Sequence, residues 1–134
     1  MTSKRGFTLV ELMVVILIFS ILLAVILPRM VSMKHRSQLT ACTLYERNLA
    51  TALENYHNDY SPYYPSLLTA LYSEKYINIA PNCPSNGSAY QYQLNSSQDY
   101  YTIWCQGTHF LMMSETVDNG FPQYTPRQGI KLKP

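Results

Sequence analysis

Residues 7–27 read FTLVELMVVILIFSILLAVIL, and within them only Thr8, Glu11 and Ser20 are not apolar. Twenty-one residues at a rise of about 1.5 Å each make a helix of roughly 32 Å, enough to cross the hydrocarbon core of a bilayer. A helix that is apolar on every side has no place in a soluble domain of this size. The segment is therefore expected to sit in a membrane. Glu11 is the exception to be explained, because an ionised carboxylate in hydrocarbon costs several kcal/mol unless it finds a partner.

What precedes the span gives Glu11 a context. Residues 1–6, MTSKRG, place Lys4 and Arg5 directly before Gly6. A secretory signal would follow its apolar region with a small-residue cleavage site, whereas this run ends in Leu27-Pro28-Arg29. The register Lys4-Arg5-Gly6-Phe7-Thr8-Leu9-Val10-Glu11, the apolar helix and Pro28 near its end resemble a type IV prepilin or type II secretion pseudopilin. That resemblance implies cleavage after Gly6 by a prepilin peptidase and methylation of the new N-terminus at Phe7. It also implies a cytoplasmic leader, an assembly platform protein and an assembly ATPase as partners. Physics points the same way. A freshly made α-amine on Phe7 can meet Glu11 of an adjacent subunit, which favours lateral assembly in register. The plainer alternative is that Glu11 reaches the interface from near the helix end.

The leader also changes the charge balance. The chain carries ten Lys and Arg against eight Asp and Glu, and removing residues 1–6 takes away Lys4 and Arg5. A mature balance of eight against eight argues against broad attraction to nucleic acid or acidic polymers. Basic residues lie on both sides of the span, so charge alone does not orient it. The resemblance does, placing everything after Pro28 outside the cytoplasm. Arg29, Lys34 and Arg36 are then placed to meet lipid headgroups or simply to form a solvated collar.

Beyond Pro28, which should kink or loosen the helix, helical periodicity continues to about Tyr60. Leu39, Cys42, Leu49, Leu53, Tyr56 and Tyr60 recur on one face, with Arg36, Glu46, Arg47, Glu54 and Asp59 mostly off it. Ser61-Pro62-Tyr63-Tyr64-Pro65 breaks the pattern. A short helix over 66–72 follows, with Ser66 as its cap and Leu67, Leu68 and Leu71 as its anchors. Residues 75–80 read as an extended connector and 81–87 as a turn-rich loop. Residues 90–94 and 100–105 read as paired strands around a turn at 95–99, and 109–113 as a third strand. The three prolines and two glycines of 120–134 suggest an irregular tail.

The expected fold is α+β, pilin-like, with a long N-terminal helix on a small antiparallel sheet. Its parts are a cleaved leader (1–6), a transmembrane and filament-core helix (7–27), an amphipathic helix (28–60) and a head (61–134). Cys42, Cys83-Pro84, the Tyr90/Tyr92 strand and Cys105 followed by His109 resemble a recurring pilin-like head pattern. No acidic calcium loop of the major type II pseudopilin kind is visible, which favours a pilus over a secretion pseudopilus.

Three cysteines in an exported head allow one disulfide and one leftover thiol. Cys83 and Cys105 flank the hairpin, so that pair is expected, with a stabilisation of about 3 kcal/mol on the chain-entropy estimate. Cys42 is left as a small buried hydrophobe. A zinc site from Cys42, Cys83, Cys105 and His109 matches no ligand spacing of a known pattern, so no metal or other cofactor is expected. Among twelve tyrosines, Tyr63, Tyr64 and Tyr124 are expected in exposed loops, and Tyr90, Tyr92 and Tyr101 against core or sheet. No nucleophile sits in a recognisable elbow or triad, no phosphate loop occurs, and an enzyme is not expected.

The reading is a structural subunit of a type IV pilus-like filament, held in the inner membrane before assembly and outside the cell or in the periplasm afterwards. The alternatives are a minor pilin or secretion pseudopilin, and a membrane-anchored binding domain that never polymerises.

Overall fold

The computed structural model describes residues 6–60, 63–113 and 116–134, together with the backbone but not the side chain of Met112. Residues 1–5 of the expected leader 1–6, and Ser61-Pro62 of the expected breaker Ser61–Pro65, lie outside the described residues. The chain divides into two units, Met1–Lys34 and His35–Pro134. Helix α1, Leu9–Tyr60, contributes to both and continues through Pro28. Proline supplies no amide proton, so the Ala24 carbonyl lacks its helical donor there.

The first unit is simple. Every described residue from 6 to 34 is exposed, and no residue of the apolar window of α1 is buried. Length and composition make it the chain's candidate membrane span.

The second unit has its own core. Leu39, Cys42, Leu49 and Leu53 of α1 are buried, as their spacing predicts, while Tyr56 is half-buried and Tyr60 exposed. Against them lies a four-stranded antiparallel sheet in the order β1-β2-β3-β4. Its strands are β1 (Gln91–Leu94), β2 (Tyr101–Trp104), β3 (Gln123–Thr125) and β4 (Gly129–Lys131). The expected β1–β2 hairpin forms, and its register sets Tyr92 opposite Ile103 and Leu94 opposite Tyr101. Tyr101 and Ile103 are fully buried and, with Tyr90, close the core over Leu49 and Leu53. A second cluster of Leu39, Val117 and Phe121, joined by Leu132, ties the C-terminal segment down.

Several expectations change. Residues 109–113 are not a strand: His109–Met112 form a single helical turn, α3, closed by Met113 N donating to His109 O at 3.0 Å. A five-residue apolar run does not distinguish the two by itself. The tail is not irregular, because it contributes β3 and β4. Its prolines all sit outside the ladder, Pro122 before β3, Pro126 after it and Pro134 at the end, where no strand amide is missed. Gly129, at φ +69°, opens β4, a conformation that costs glycine nothing. The short helix α2 spans only Ala70–Ser73 and has no side-chain cap, so Ser66 caps nothing. Leu71 is buried and Leu68 half-buried, but Leu67 is exposed. The connector at 75–80 turns instead of extending, with Lys75 at φ +61°.

The tyrosines are better used than expected. Tyr63 is exposed, but Tyr64 is buried and Tyr124 lies on β3. Tyr64 and Tyr101 both donate to Glu54, at 3.0 Å to Oε2 and 3.0 Å to Oε1, and their rings meet edge-on with centroids 4.7 Å apart. Burial, followed by the Glu54 carboxylate, pushes the Tyr64 phenol up to about 12, so both hydroxyls stay donors at any physiological pH.

Candidate functional site

At the N-terminal end, Gly6 is exposed, and a Cβ built on it would meet nothing within 4 Å. Phe7 is 73% exposed. The helix then begins with a reciprocal cap. Thr8 N and Thr8 Oγ1 donate to Glu11 Oε2 at 2.9 and 2.8 Å, and Glu11 N donates back to Thr8 Oγ1 at 3.2 Å. Two amide protons that a helix start leaves orphaned are thereby satisfied. Thr-x-x-Glu is legible in the sequence as a capping box, although the leader and the apolar span pointed only to an intermolecular partner for Glu11. Within one chain the carboxylate already has a local one, and it projects from a helix end whose other surfaces are apolar and uncovered.

A family profile described as the prokaryotic N-terminal methylation motif matches residues 1–27. A type IV wide pilus major component, PilA4, of Thermus thermophilus is 29% identical over 111 residues, covering 81% of this chain and 84% of the relative. The competence protein ComGC of Bacillus subtilis is 30% identical over 83 residues, covering 62% of this chain and 84% of the relative. The chain belongs to the type IV pilin-like family. No solved structure gives a significant match. As a pilin the chain is a structural filament subunit made in prepilin form, and the α+β architecture described above is the one expected of it.

The pilin head holds a second constellation. Cys42 on α1, Cys83 in the loop after residue 80, Cys105 just past β2 and His109 at the start of α3 are all buried. Their ligand-type atoms all lie within 4.8 Å of one another. The three sulfurs carry no bond to one another here, and the expected Cys83–Cys105 pair lies within this cluster. Each sulfur faces a protein group able to donate to it. Tyr90 OH lies 3.2 Å from Cys42 Sγ, Ser85 Oγ lies 3.1 Å from Cys83 Sγ, and Gly107 N donates to Cys105 Sγ at 3.1 Å. His109 Nε2 stands 3.3 Å from Cys83 Sγ. The hydrogen bond with Cys42, then those from His109, Cys83 and the Gly107 amide, hold the Cys105 thiol below its ordinary range despite its burial. The same pairing, with burial, pushes Cys42 up.

Glu46, one helical turn beyond Cys42, was expected off the apolar face but is fully buried, and neither of its carboxyl oxygens has a hydrogen-bond partner among the described residues. Burial, followed by the charge of Cys105, pushes it up to about 9, so it sits in the head as a neutral acid. An unpartnered buried polar group typically costs about 1–3 kcal/mol. Glu46→Leu, similar in volume and apolar, should therefore raise the denaturation midpoint of the head by an amount equivalent to about 1 kcal/mol or more. A lowered midpoint in chemical denaturation would mean that Glu46 makes a bond essential to the head.

Proposed function

We propose that this pilin is cut after Gly6 by a prepilin peptidase, methylated on the Phe7 amine, held in the cytoplasmic membrane by residues 7–27 and polymerised through that same segment. Residues 28–60 then form the helix that enters the head, and 61–134 complete it. Glu11 receives the Phe7 amine of a neighbouring copy. A platform protein and an assembly ATPase lift the subunit out of the bilayer, and the filament lies outside the cell or in the periplasm.

The observation that carries this reading is the contrast between the two units. The head closes its own core, whereas every described residue from 6 to 34 is exposed. Apolar surface of that extent is stable only in lipid or against copies of itself. A pure anchor would have no need of a carboxylate in the first turn of the span.

The wide-pilus relative supports a major pilus subunit, and the competence relative supports a second reading as a pseudopilin of a competence apparatus. Composition of sheared surface filaments separates them. A dominant band beginning at Phe7 is the result expected of a major pilin. A trace component, with loss of competence on deletion, would favour the second reading. Absence of the cleaved chain from any filament would overturn both.

A further inference from the structure

We propose that Cys42, Cys83, Cys105 and His109 bind one zinc ion, which joins α1 to the sheet and to α3 in the pilin head. The donor set is three sulfurs and one imidazole nitrogen, a combination that tetrahedral zinc takes in closed structural sites. Zinc at about 2.3 Å from sulfur and about 2.0 Å from nitrogen sets neighbouring ligand atoms roughly 3.5–3.8 Å apart. The four atoms here already lie within 4.8 Å of one another. Closing around the ion needs a contraction of about an ångström at the widest pair, within reach of small side-chain rotations.

Three further features fit thiolate ligands better than a disulfide and a spare thiol. First, each of the three sulfurs faces its own donor, from Tyr90, Ser85 and the Gly107 amide. Such donors stabilise a metal-bound thiolate and fix its direction. A Cys83–Cys105 disulfide would leave two of them facing neutral sulfur. Second, the Ser85 and Gly107 amides each point at the sulfur two residues before them, at 3.5 and 3.1 Å. Third, the backbone at Gly107 descends onto the cluster. A Cβ there would overlap Cys83 Sγ and lie 2.7 Å from Ser85 Oγ and 3.0 Å from Cys105 Sγ. Only glycine lets the loop close over the sulfurs. His109 is 4% exposed and belongs to no pair that a disulfide would make.

Binding replaces the remaining thiol protons, which leave to solvent, with bonds to the metal, and consumes no oxidant. The ligands come from residues as far apart as 42 and 109, on separate elements, so holding the metal means holding the head together.

The test uses the full-length cleaved chain, purified in detergent from zinc-replete cells without chelator. One zinc per chain is expected by elemental analysis, with three thiols alkylated only after unfolding with a chelator. Cobalt substitution should give sulfur-to-cobalt charge-transfer bands and the visible bands of a tetrahedral site. His109→Ala should weaken cobalt binding at least tenfold, a change that leaves a disulfide untouched. Should His109→Ala fail to fold, the wild-type chain decides alone. Chelation should lower its melting temperature, and zinc, but not magnesium, should restore it. A chain lighter by two hydrogens with Cys83 linked to Cys105 and no zinc would overturn the proposal, and so would three free thiols with no bound metal.

Discussion

Glu11→Gln is expected to leave the cleaved protein in the membrane at wild-type amounts while lowering the yield of surface filament at least tenfold. Glutamine preserves the local geometry, because Thr-x-x-Gln closes the same reciprocal cap as Thr-x-x-Glu. What it removes is the charge. If Glu11 neutralises a neighbour's α-amine in an apolar bundle, that amine becomes an uncompensated buried cation, typically a loss of about 3–5 kcal/mol per contact. Each 1.4 kcal/mol is a factor of ten in association (on the order of RT ln 10), so even a third of that loss is visible in filament yield. Glu11→Leu removes charge and cap together. The cap is worth about 0.5–2 kcal/mol at the helix start, too little to unfold a helix of 52 residues held in lipid, so filaments should again be lost with cleavage intact. Glu11→Asp keeps the charge with a shorter reach and should give an intermediate yield. The comparison is made at matched levels of cleaved membrane protein. Wild-type filament from Glu11→Gln but not from Glu11→Leu would reduce Glu11 to a capping residue. Wild-type filament from both would leave apolar packing as the whole driving force.

Gly6→Leu should abolish the N-terminus at Phe7 altogether. A side chain at Gly6 meets nothing within 4 Å in this chain, so the substitution costs the pilin no folding energy and insertion into the membrane should be normal. Any loss must arise in the peptidase, whose site has to admit the residue before the scissile bond. Gly6→Ala, one methyl larger, should be cut slowly. The uncut chain keeps Lys4 and Arg5 and has no α-amine at Phe7, so it should not enter filaments. N-terminal mass mapping of the membrane fraction reads the result directly. A normal Phe7 terminus in Gly6→Leu would sink the cleavage assignment.

The apolar half of α1, its amphipathic continuation and the β1–β2 hairpin were legible because each announces itself over consecutive residues, by uniform apolarity, a helical repeat or alternation. Features set by position or by distant partners were not. Counting the prolines of 120–134 suggested disorder of pattern, whereas placing them between strands would have left Tyr124-Thr125 and Ile130 free to pair. Glu46 was assigned by polarity alone to the wrong side of α1, although it falls four residues after Cys42 and three before Leu49, squarely on the buried face. Local periodicity had the answer there and residue type overrode it. The cysteine–histidine cluster is a different case. Its members lie on α1, in two loops and on α3, and their separations in sequence follow no local rule. Only Cys105-x-Gly107 hinted at a loop pressed close to sulfur. The fold had to bring them together before the grouping had any meaning.

The exposed half of α1 restricts what can surround it. Leu9, Ile16 and Leu27 are 69%, 59% and 58% exposed in the single chain, so water is never a tolerable surrounding for them. A bilayer and a bundle of like helices, however, are nearly equivalent to such side chains, since lipid tails are as apolar as leucine. Moving between the two changes little apolar hydration. The balance falls to polar groups and to the fit of one helix on another. The head, whose core closes within His35–Pro134, need not open during the move. If, as proposed, copies of α1 leave lipid to pack on one another, the exchange changes apolar burial little in either direction.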